Sequence, residues 1–320
     1  GHVLIRMDAE PSRATHVDDS TTLLSGDVKS DSSCACDPTL SYNDMPQWFQ
    51  NHVAPGIELG YRPCDRPLRT YVASLLTLSN ETINIWSHLS GALLFCSWPA
   101  FGELRVAQPE YLVPYQVSVI LCFFASATYH LFMPHSPGWY SVLARIDYAA
   151  IFVLIGGSYI PWYSILFACD RQLARIACLI TFLAIAGIAG TIATQEWFTH
   201  DTLCMGRVRV AVYVSFAALL FSFTIVASVR GFDPKPYYDL DARIHWLLIA
   251  TAIVYVVGPL LYARRWPEVC LRPAWPQIAA IIDLLGASHQ LMHCLVLAGA
   301  LLNAASMQLA LEVEPQVNHC

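Results

Sequence analysis

Three histidines lie within apolar stretches of this sequence, where an unpaired ionisable side chain costs at least ~2.5 kcal/mol. His289 and His293 stand four residues apart, a spacing that places both imidazole rings on one face of a helix. His130 lies near the end of a separate apolar stretch. Three neutral imidazoles that leave a fourth position open for water are typical of catalytic zinc. We therefore predict that His130, His289 and His293 bind Zn²⁺ inside a membrane.

Two further polar residues are candidates for catalysis at this site. Asp147 opens the next apolar stretch and is expected at the same membrane depth as the histidines, where it can act as a general base or orient the water. Ser126 precedes His130 by four residues and can hydrogen-bond the water or a ligand from the same helix face. The alternatives are an interfacial Asp147 paired with Arg145, and a Ser126 that serves only helix packing.

The remaining histidines of the apolar region are expected to lie outside the site. His88 and His135 stand near the ends of apolar stretches, a position more typical of an interfacial side chain than of a ligand. His245 opens an apolar stretch at what should be the opposite side of the membrane. We predict that none of the three binds the metal.

The composition indicates that most of this chain lies within a lipid bilayer. Its 320 residues are 56% hydrophobic and 13% charged, which predicts a multi-pass integral membrane protein. The net charge of −6 and the absence of a long basic run argue against a nucleic-acid partner. The eleven cysteines lack the regular spacing of a secreted disulfide framework, and Cys34 and Cys36 are weak evidence for metal binding or lipidation.

Seven apolar runs are long enough to cross a hydrocarbon core of about 20 helical residues. They lack the alternation of a β-barrel, so we predict an all-α fold, a seven-transmembrane helical bundle. The predicted organisation is a largely disordered cytosolic tail over residues 1–70, a transmembrane domain over 71–303 and a short extracytosolic tail over 304–320. The predicted spans are 83–103, 112–133, 147–168, 173–194, 207–229, 243–263 and 281–303.

The distribution of basic residues predicts the orientation. Nine Lys or Arg residues lie on the side of the N-terminus and six on the other, which favours a cytosolic N-terminus and an extracytosolic C-terminus. This is the reverse of a G-protein-coupled receptor, and it predicts that the glycosylation motif at Asn80 stays unmodified. The nine are Arg62, Arg66, Arg69, Arg145, Arg207, Arg209, Arg264, Arg265 and Arg272.

Several motifs together resemble the progestin and adipoQ receptor family, which is related to haemolysin III. They are the stretch Ser79–His88, the pair Ser126 and His130, Asp147-Tyr148, and the stretch Ser288–His293. The resemblance covers residues 60–302. It implies seven membrane helices with a cytosolic N-terminus and zinc held by the three histidines, with Asp147 and Ser126 beside the water.

The resemblance also implies functions that the residues alone do not. These are reception of adiponectin-type proteins or progestin-type steroids, and a ceramidase-like hydrolase activity in lipid signalling. Residues 78–82 resemble a Golgi-resident member that sequesters a Raf kinase, whereas residues 158–162 resemble the adiponectin receptors, so plasma membrane and Golgi both stay open.

Two functional hypotheses follow. The first is a receptor whose zinc centre hydrolyses a lipid amide such as ceramide, with a membrane lipid, either ceramide or a fatty acid, as its partner. The second is a non-catalytic scaffold or signalling regulator in which zinc is structural and the N-terminal tail recruits a cytosolic signalling partner. A membrane di-iron desaturase needs more clustered histidines, and a channel is disfavoured because no acidic ring lies within the spans.

Overall fold

The computed structural model describes residues 39–53, 56–101, 112–166, 172–199, 203–229 and 241–313. Within these ranges the chain is helical, apart from turns, irregular segments and one antiparallel bridge between Leu40 and Tyr61. Most of the predicted tails, including Cys34 and Cys36, lie outside the described residues. The helices are α1 Gln47–His52, α2 Leu68–Ala73, α3 Thr82–Phe101, α4 Val113–Phe132, α5 Pro137–Leu166, α6 Gln172–Ala193, α7 Glu196–Thr199, α8 Leu203–Val229, α9 Ala242–Arg264, α10 Glu268–Ala274, α11 Ala279–Ile281 and α12 Ser288–Val313.

Each of the seven predicted spans corresponds to a long helix, and two of them differ in their limits. Helix α5 begins at Pro137, a favoured first helical residue, so Asp147 lies well inside this helix instead of opening it. Helix α12 begins at Ser288 after a π-helical turn over Ile282–Gly286, and it continues to Val313, past the predicted end of the span. The charged pair Arg145 and Asp147 therefore does not mark a helix start.

Five segments in the described part of the chain are long and apolar enough to cross a membrane. Large apolar side chains point outward along the long helices, for example Leu121, Ile180 and Ile188, which are 55%, 61% and 64% exposed. Such faces suit contact with lipid, since water would disfavour them. These are the features of an integral membrane protein. The five segments are Val113–Phe132, Pro137–Tyr163, Cys204–Ser222, Ala242–Arg264 and Pro276–Val313.

The bundle interior is filled by aromatic and aliphatic side chains, and its helices approach closely at small residues. Helix α4 packs between α3 and α5, while α12 packs on α9 and α3. Phe123, Phe152 and Met307 are fully buried in this core. A methyl group added at Gly157 of α5 would overlap the side chain of Ser118 on α4, so glycine is required for this contact.

The segment before α3 is structured and packs against the connection between α4 and α5. Phe49 of α1 is buried and makes an edge contact with Tyr140, with ring centroids 6.3 Å apart. The Tyr140 hydroxyl donates to the His52 carbonyl at 3.0 Å, and the Tyr71 hydroxyl donates to the Pro134 carbonyl at 3.2 Å. Residues 39–53 and 56–70 therefore form part of the folded protein.

The same segment is attached to the stretch that leads into α12. The Asp283 carboxylate accepts hydrogen bonds from the backbone N–H groups of Glu58 and Leu59, at 3.0 and 3.1 Å. Arg272 forms an ion pair of 2.5 Å with Glu58 and lies 3.5 Å from an oxygen of Asp283. The contacts made by Glu58 and Leu59 join residues more than 200 positions apart and fix the entry to α12.

Two of the arginines counted as basic residues at the span ends are buried in the fold. Arg62 donates to the carbonyls of His130 and Leu131 at the end of α4, at 2.5 and 3.0 Å. Arg209 lies inside α8 and donates to the Tyr262 hydroxyl at 3.0 Å. Specific hydrogen bonds explain where Arg62 and Arg209 lie. These two arginines therefore should not be counted when the orientation is predicted from basic residues in the loops.

Candidate metal centre

The three predicted ligands converge between the end of α4 and the beginning of α12. His130 lies in the last turn of α4, and His289 and His293 lie in the first two turns of α12. The His130 ring centroid is 5.1 Å from that of His289 and 4.7 Å from that of His293, and the latter two are 4.8 Å apart. One nitrogen of each ring lies within 4.8 Å of the others, so these side chains can hold a metal ion.

In His130 and His293 the Nδ1 atom is engaged in a way that suits metal binding through Nε2. The Nδ1 of His130 lies 2.7 Å from Oε2 of Glu81, and the Nδ1 of His293 lies 3.2 Å from the Asn84 carbonyl oxygen. An acceptor at Nδ1 holds the proton there and leaves Nε2 with its lone pair available. The Nε2 of His130 is buried and has no hydrogen-bond partner among the described residues. The donor set therefore fits a metal with a preference for imidazole.

His88 packs against this cluster, and the expectation of an interfacial side chain was wrong. Its ring is buried between Phe123 and His293, with centroid distances of 4.5 and 3.9 Å. The sequence argument failed because α3 begins at Thr82, which places His88 in the second turn against α4 and α12. His88 packs against a candidate ligand and restricts the rotation of its ring.

Ser126 and Asp147 lie next to each other, close to the metal cluster. Both are buried, and the Ser126 side chain interacts with the Asp147 carboxylate. Asp147 also interacts electrostatically with His130 and Arg209. Arg145, the expected alternative partner, donates to the Ser141 hydroxyl at 2.9 Å. The catalytic role of Ser126 and Asp147 stays a prediction.

The two histidines expected elsewhere are separate from the cluster. Nδ1 of His245 lies 3.3 Å from the carbonyl oxygen of Asp241, at the beginning of α9. Nδ1 of His135 lies 3.0 Å from the carbonyl oxygen of Arg66, beyond the end of α4. The group that could hold a metal in the described ranges consists of His130, His289 and His293.

Sequence reasoning missed Glu81 and Asn84 as site residues. The Asn84 amide donates to Glu81 Oε2 at 2.7 Å, and that oxygen also contacts His130. A signal was present, since Glu81, Asn84 and His88 are spaced at i, i+3 and i+7, which places them on one helix face. Three polar residues on one face of an apolar helix indicate contact with another polar group.

The first turn of α12 is held by polar groups from distant parts of the chain. Glu268 accepts hydrogen bonds from the backbone N–H and the hydroxyl of Ser288, at 2.8 and 2.7 Å. The Gln290 amide donates to the carbonyl of Asn80 at 2.8 Å. On the α4 side, burial lowers the pKa of Arg62 from its ordinary value, and the nearby Glu81 opposes this change. These contacts fix the backbone that carries the three histidines.

A cavity of about 520 Å³ leads to the cluster from the side of the segment before α3. Its lining includes His130 and His289 as well as Glu58, whose side chain is 69% exposed. The lining also includes Glu81, Asn84 and Glu268. The cavity therefore gives access to His130 and His289 past both polar and apolar side chains.

Comparisons with known proteins find one matching family model and several relatives, some of which are named as receptors. The family model described as haemolysin-III related matches residues 76–304. The chain is 28% identical to an adiponectin receptor protein of Drosophila melanogaster, over 81% of the chain and 56% of the relative. It is 29% identical to heptahelical transmembrane protein 1 of Arabidopsis thaliana, over 85% and 81% of the two chains.

A human relative gives a similar result. The chain is 27% identical to progestin and adipoQ receptor family member 3 of Homo sapiens, over 80% of each chain. The chain spans 56% and 58% of the length of the relatives from Drosophila melanogaster and Caenorhabditis elegans, the latter being progestin and adipoQ receptor-like protein 1.

Proposed function

The chain belongs to the haemolysin-III related family, and from this premise we propose that it is a receptor whose zinc centre hydrolyses an amide bond in a membrane lipid such as ceramide. The observation that carries the proposal is the convergence of three imidazoles, with the unpartnered Nε2 of His130 buried beside His289 and His293. A zinc ion held by three imidazoles supplies a Lewis acid and an activated water for hydrolysis.

The residues around the histidines supply the other functions that hydrolysis needs. The Asp147 carboxylate would accept a proton from the attacking water and pass it to the amine nitrogen as the amide C–N bond breaks. The Ser126 hydroxyl interacts with Asp147 and orients it. Glu81 and Asn84 hold the His130 and His293 rings, so the ligand geometry is set before the lipid binds.

We propose a seven-helix topology for this receptor. Helices α3 and α6 add to the five segments that are long and apolar enough to span, and the relative in Arabidopsis thaliana is named as heptahelical. Contacts from residues 39–81 to the α4–α5 and α9–α12 connections are those expected if these three regions share one membrane face.

We assign that face to the cytosol and the C-terminus to the opposite side, in the plasma membrane or the Golgi. The buried Asn80, 6% exposed, leaves no room for a glycan on either side of the membrane. Antibodies should reach epitope tags at residue 1 and residue 320 from opposite sides of an intact membrane. Reaction of both tags on one side would contradict the topology.

The proposed partners follow from the lipid chemistry and from the names of the relatives. They are ceramide or a fatty acid at the site, an adiponectin-like protein or a steroid as ligand, and a cytosolic signalling protein on the tail of residues 1–70. Nucleic acid is not among them.

One observation favours a second candidate function, that of a scaffold with structural zinc. His130 belongs to α4 whereas His289 and His293 belong to α12, so a shared ion would tie these two helices together. In that case chelation should lower the melting temperature without abolishing partner binding and without any lipid turnover. Unchanged stability after chelation would contradict the scaffold function.

Metal analysis and amide turnover test the main proposal. Purified wild type should contain close to one zinc per chain, and His130→Ala and His293→Ala should lose it. His245→Ala, with its histidine outside the cluster, should keep it. Wild type should release fatty acid from ceramide faster than His289→Ala. If wild type binds zinc but releases fatty acid no faster than His289→Ala, the hydrolase function is contradicted and only the scaffold function is left.

A further inference from the structure

An exposed apolar stripe lies on helix α2 and on the 3₁₀ turn Ser74–Leu76 that extends it. Leu68, Val72 and Leu76 follow one another at intervals of four residues and are 40%, 50% and 89% exposed. This spacing places the three side chains on one side of the helical segment. A continuous apolar surface of this kind is disfavoured in water, so the stripe indicates a partner.

The opposite side of the same segment is fixed to the protein. The Tyr71 side chain is buried, and its hydroxyl lies 3.1 Å from the Pro63 carbonyl oxygen and 3.2 Å from that of Pro134. The Ser74 hydroxyl accepts a hydrogen bond from Nη1 of Arg62 at 3.1 Å. The segment therefore cannot turn its apolar stripe toward the protein without breaking these contacts.

The stripe continues into the outward side of α3. The indole Nε1 of Trp86, in the second turn of α3, donates to the Leu75 carbonyl at 2.9 Å. Trp86 is 39% exposed, and Leu93, seven residues later on the same side of the helix, is 53% exposed. Tryptophan is enriched where membrane helices cross the interface with water. The stripe therefore lies at the level at which α3 enters the bilayer.

Basic residues beside the stripe fit a phospholipid surface. Arg69, which directly follows Leu68, is exposed, and its guanidinium has no ion pair or hydrogen bond with the described residues. Arg66 is also exposed, although the acidic Asp65 stands next to it. An apolar side with basic groups at its edge is typical of a segment that lies in the membrane interface, where long basic side chains reach the lipid phosphates.

We propose that residues 68–76 form an interfacial anchor whose partner is the adjacent phospholipid leaflet. Leu68, Val72 and Leu76 enter the acyl chains, and Arg69 lies at the level of the phosphates. The inference depends on membrane integration and not on hydrolysis, so a failure of the hydrolase function would leave it intact.

The anchor also reaches the metal centre through one side chain. Arg62, which donates to Ser74, donates in addition to the carbonyls of His130 and Leu131. The anchored segment therefore supports the end of α4 that carries a candidate ligand.

Photo-crosslinking in a bilayer tests the anchor. p-Benzoylphenylalanine replaces Leu76 in the full chain, which is reconstituted in phosphatidylcholine nanodiscs, irradiated and analysed by mass spectrometry. The same replacement at Leu93 of α3 is the positive control, and that at the exposed Gln47 of α1 is the negative control. Positions 76 and 93 should both form phospholipid adducts, whereas position 47 should form few or none.

Three outcomes would overturn the anchor. The first is a position 76 that forms no lipid adduct while position 93 does. The second is a cross-link from position 76 to a second copy of the chain, which would make the stripe a dimer interface. The third is an equal yield of lipid adducts at positions 47 and 76, which would show that reaction with lipid does not depend on the stripe.

Leu76→Asp gives an independent measurement. Because Leu76 is 89% exposed, it contacts little of the protein, and the substitution reports mainly on its surroundings. In nanodiscs this variant should melt about 2–4 °C below wild type, since a carboxylate is disfavoured among acyl chains. Asn43→Asp adds the same charge at an exposed position of the segment before α1 and should melt like wild type. An unchanged or raised melting temperature of Leu76→Asp would contradict the insertion.

Discussion

The contact between Glu81 and His130 predicts that a residue outside the metal ligands controls metal affinity. The carboxylate oxygen lies 2.7 Å from Nδ1, and the two side chains are 14% and 3% exposed. A hydrogen bond to a charged group in such a place contributes about 2 kcal/mol, and a neutral acceptor contributes about half of that. Glu81→Ala should therefore weaken zinc binding about 30-fold, within the range known for loss of such outer contacts, and Glu81→Gln about fivefold.

Competition with a fluorescent zinc chelator measures these affinities on purified protein. Glu196→Ala removes a carboxylate from the exposed helix α7 and should leave the affinity unchanged. The decisive control is a double-mutant cycle, since Glu81 is expected to act through the His130 ring. In a His130→Ala background, Glu81→Ala should have no further effect on the residual affinity.

Two results would refute this reasoning. A folded Glu81→Ala variant that binds zinc within twofold of wild type would show that the carboxylate does not support the ring. A loss of the same size with and without His130 would show that Glu81 acts through the general stability of the bundle.

Three further predictions concern packing, a buried cation and a buried thiol. Gly157→Ala should lower the stability by about 1–3 kcal/mol by overpacking, whereas Gly187→Ala, with open space around it, should not, as measured by thermal unfolding. Arg62→Met should cost about 3 kcal/mol, because two buried carbonyls at the end of α4 lose their charged donor, and a wild-type melting temperature would contradict this. Burial raises the pKa of Cys64 to about 12, so near pH 8 only about one thiol in ten thousand is ionised. Alkylation of Cys64 followed by mass spectrometry should accelerate about tenfold per pH unit above pH 8, and it should be much slower than that of the exposed Cys270.

The convergence of the three histidines could be predicted because it depends on local periodicity and on helix direction. The spacing of His289 and His293 follows from one turn of helix, and alternating helices bring the end of α4 to the level of the beginning of α12. Both arguments use only the order and length of the apolar runs. The structure agrees with both arguments, since one nitrogen of each of the three rings lies within 4.8 Å of the others.

The surroundings of the site could not be predicted in the same way, because they depend on contacts between distant residues. Asp283 meets Glu58 across 225 positions, and Gln290 meets Asn80 across 210. No periodicity within one helix predicts such pairs. The burial of Arg62 was missed for the same reason, since its acceptors are carbonyls at the end of another helix.

The limits of α5 differ from those of the predicted span. The sequence places the start of this span at Asp147, where a long apolar run begins. The chain instead begins the helix at Pro137 and buries Asp147 beside Ser126, where polar groups are available. Asp147 therefore does not mark the beginning of the helix, and its role as a catalytic residue stays a prediction.

The division of the histidines between α4 and α12 also determines when the centre can assemble during biosynthesis. A ribosome completes the helices that carry Glu81 and His130 long before it synthesises His289 and His293. Until then the nascent chain holds one of the three histidines that could bind a metal. The proposed zinc centre therefore cannot be completed before the last of these helices is synthesised.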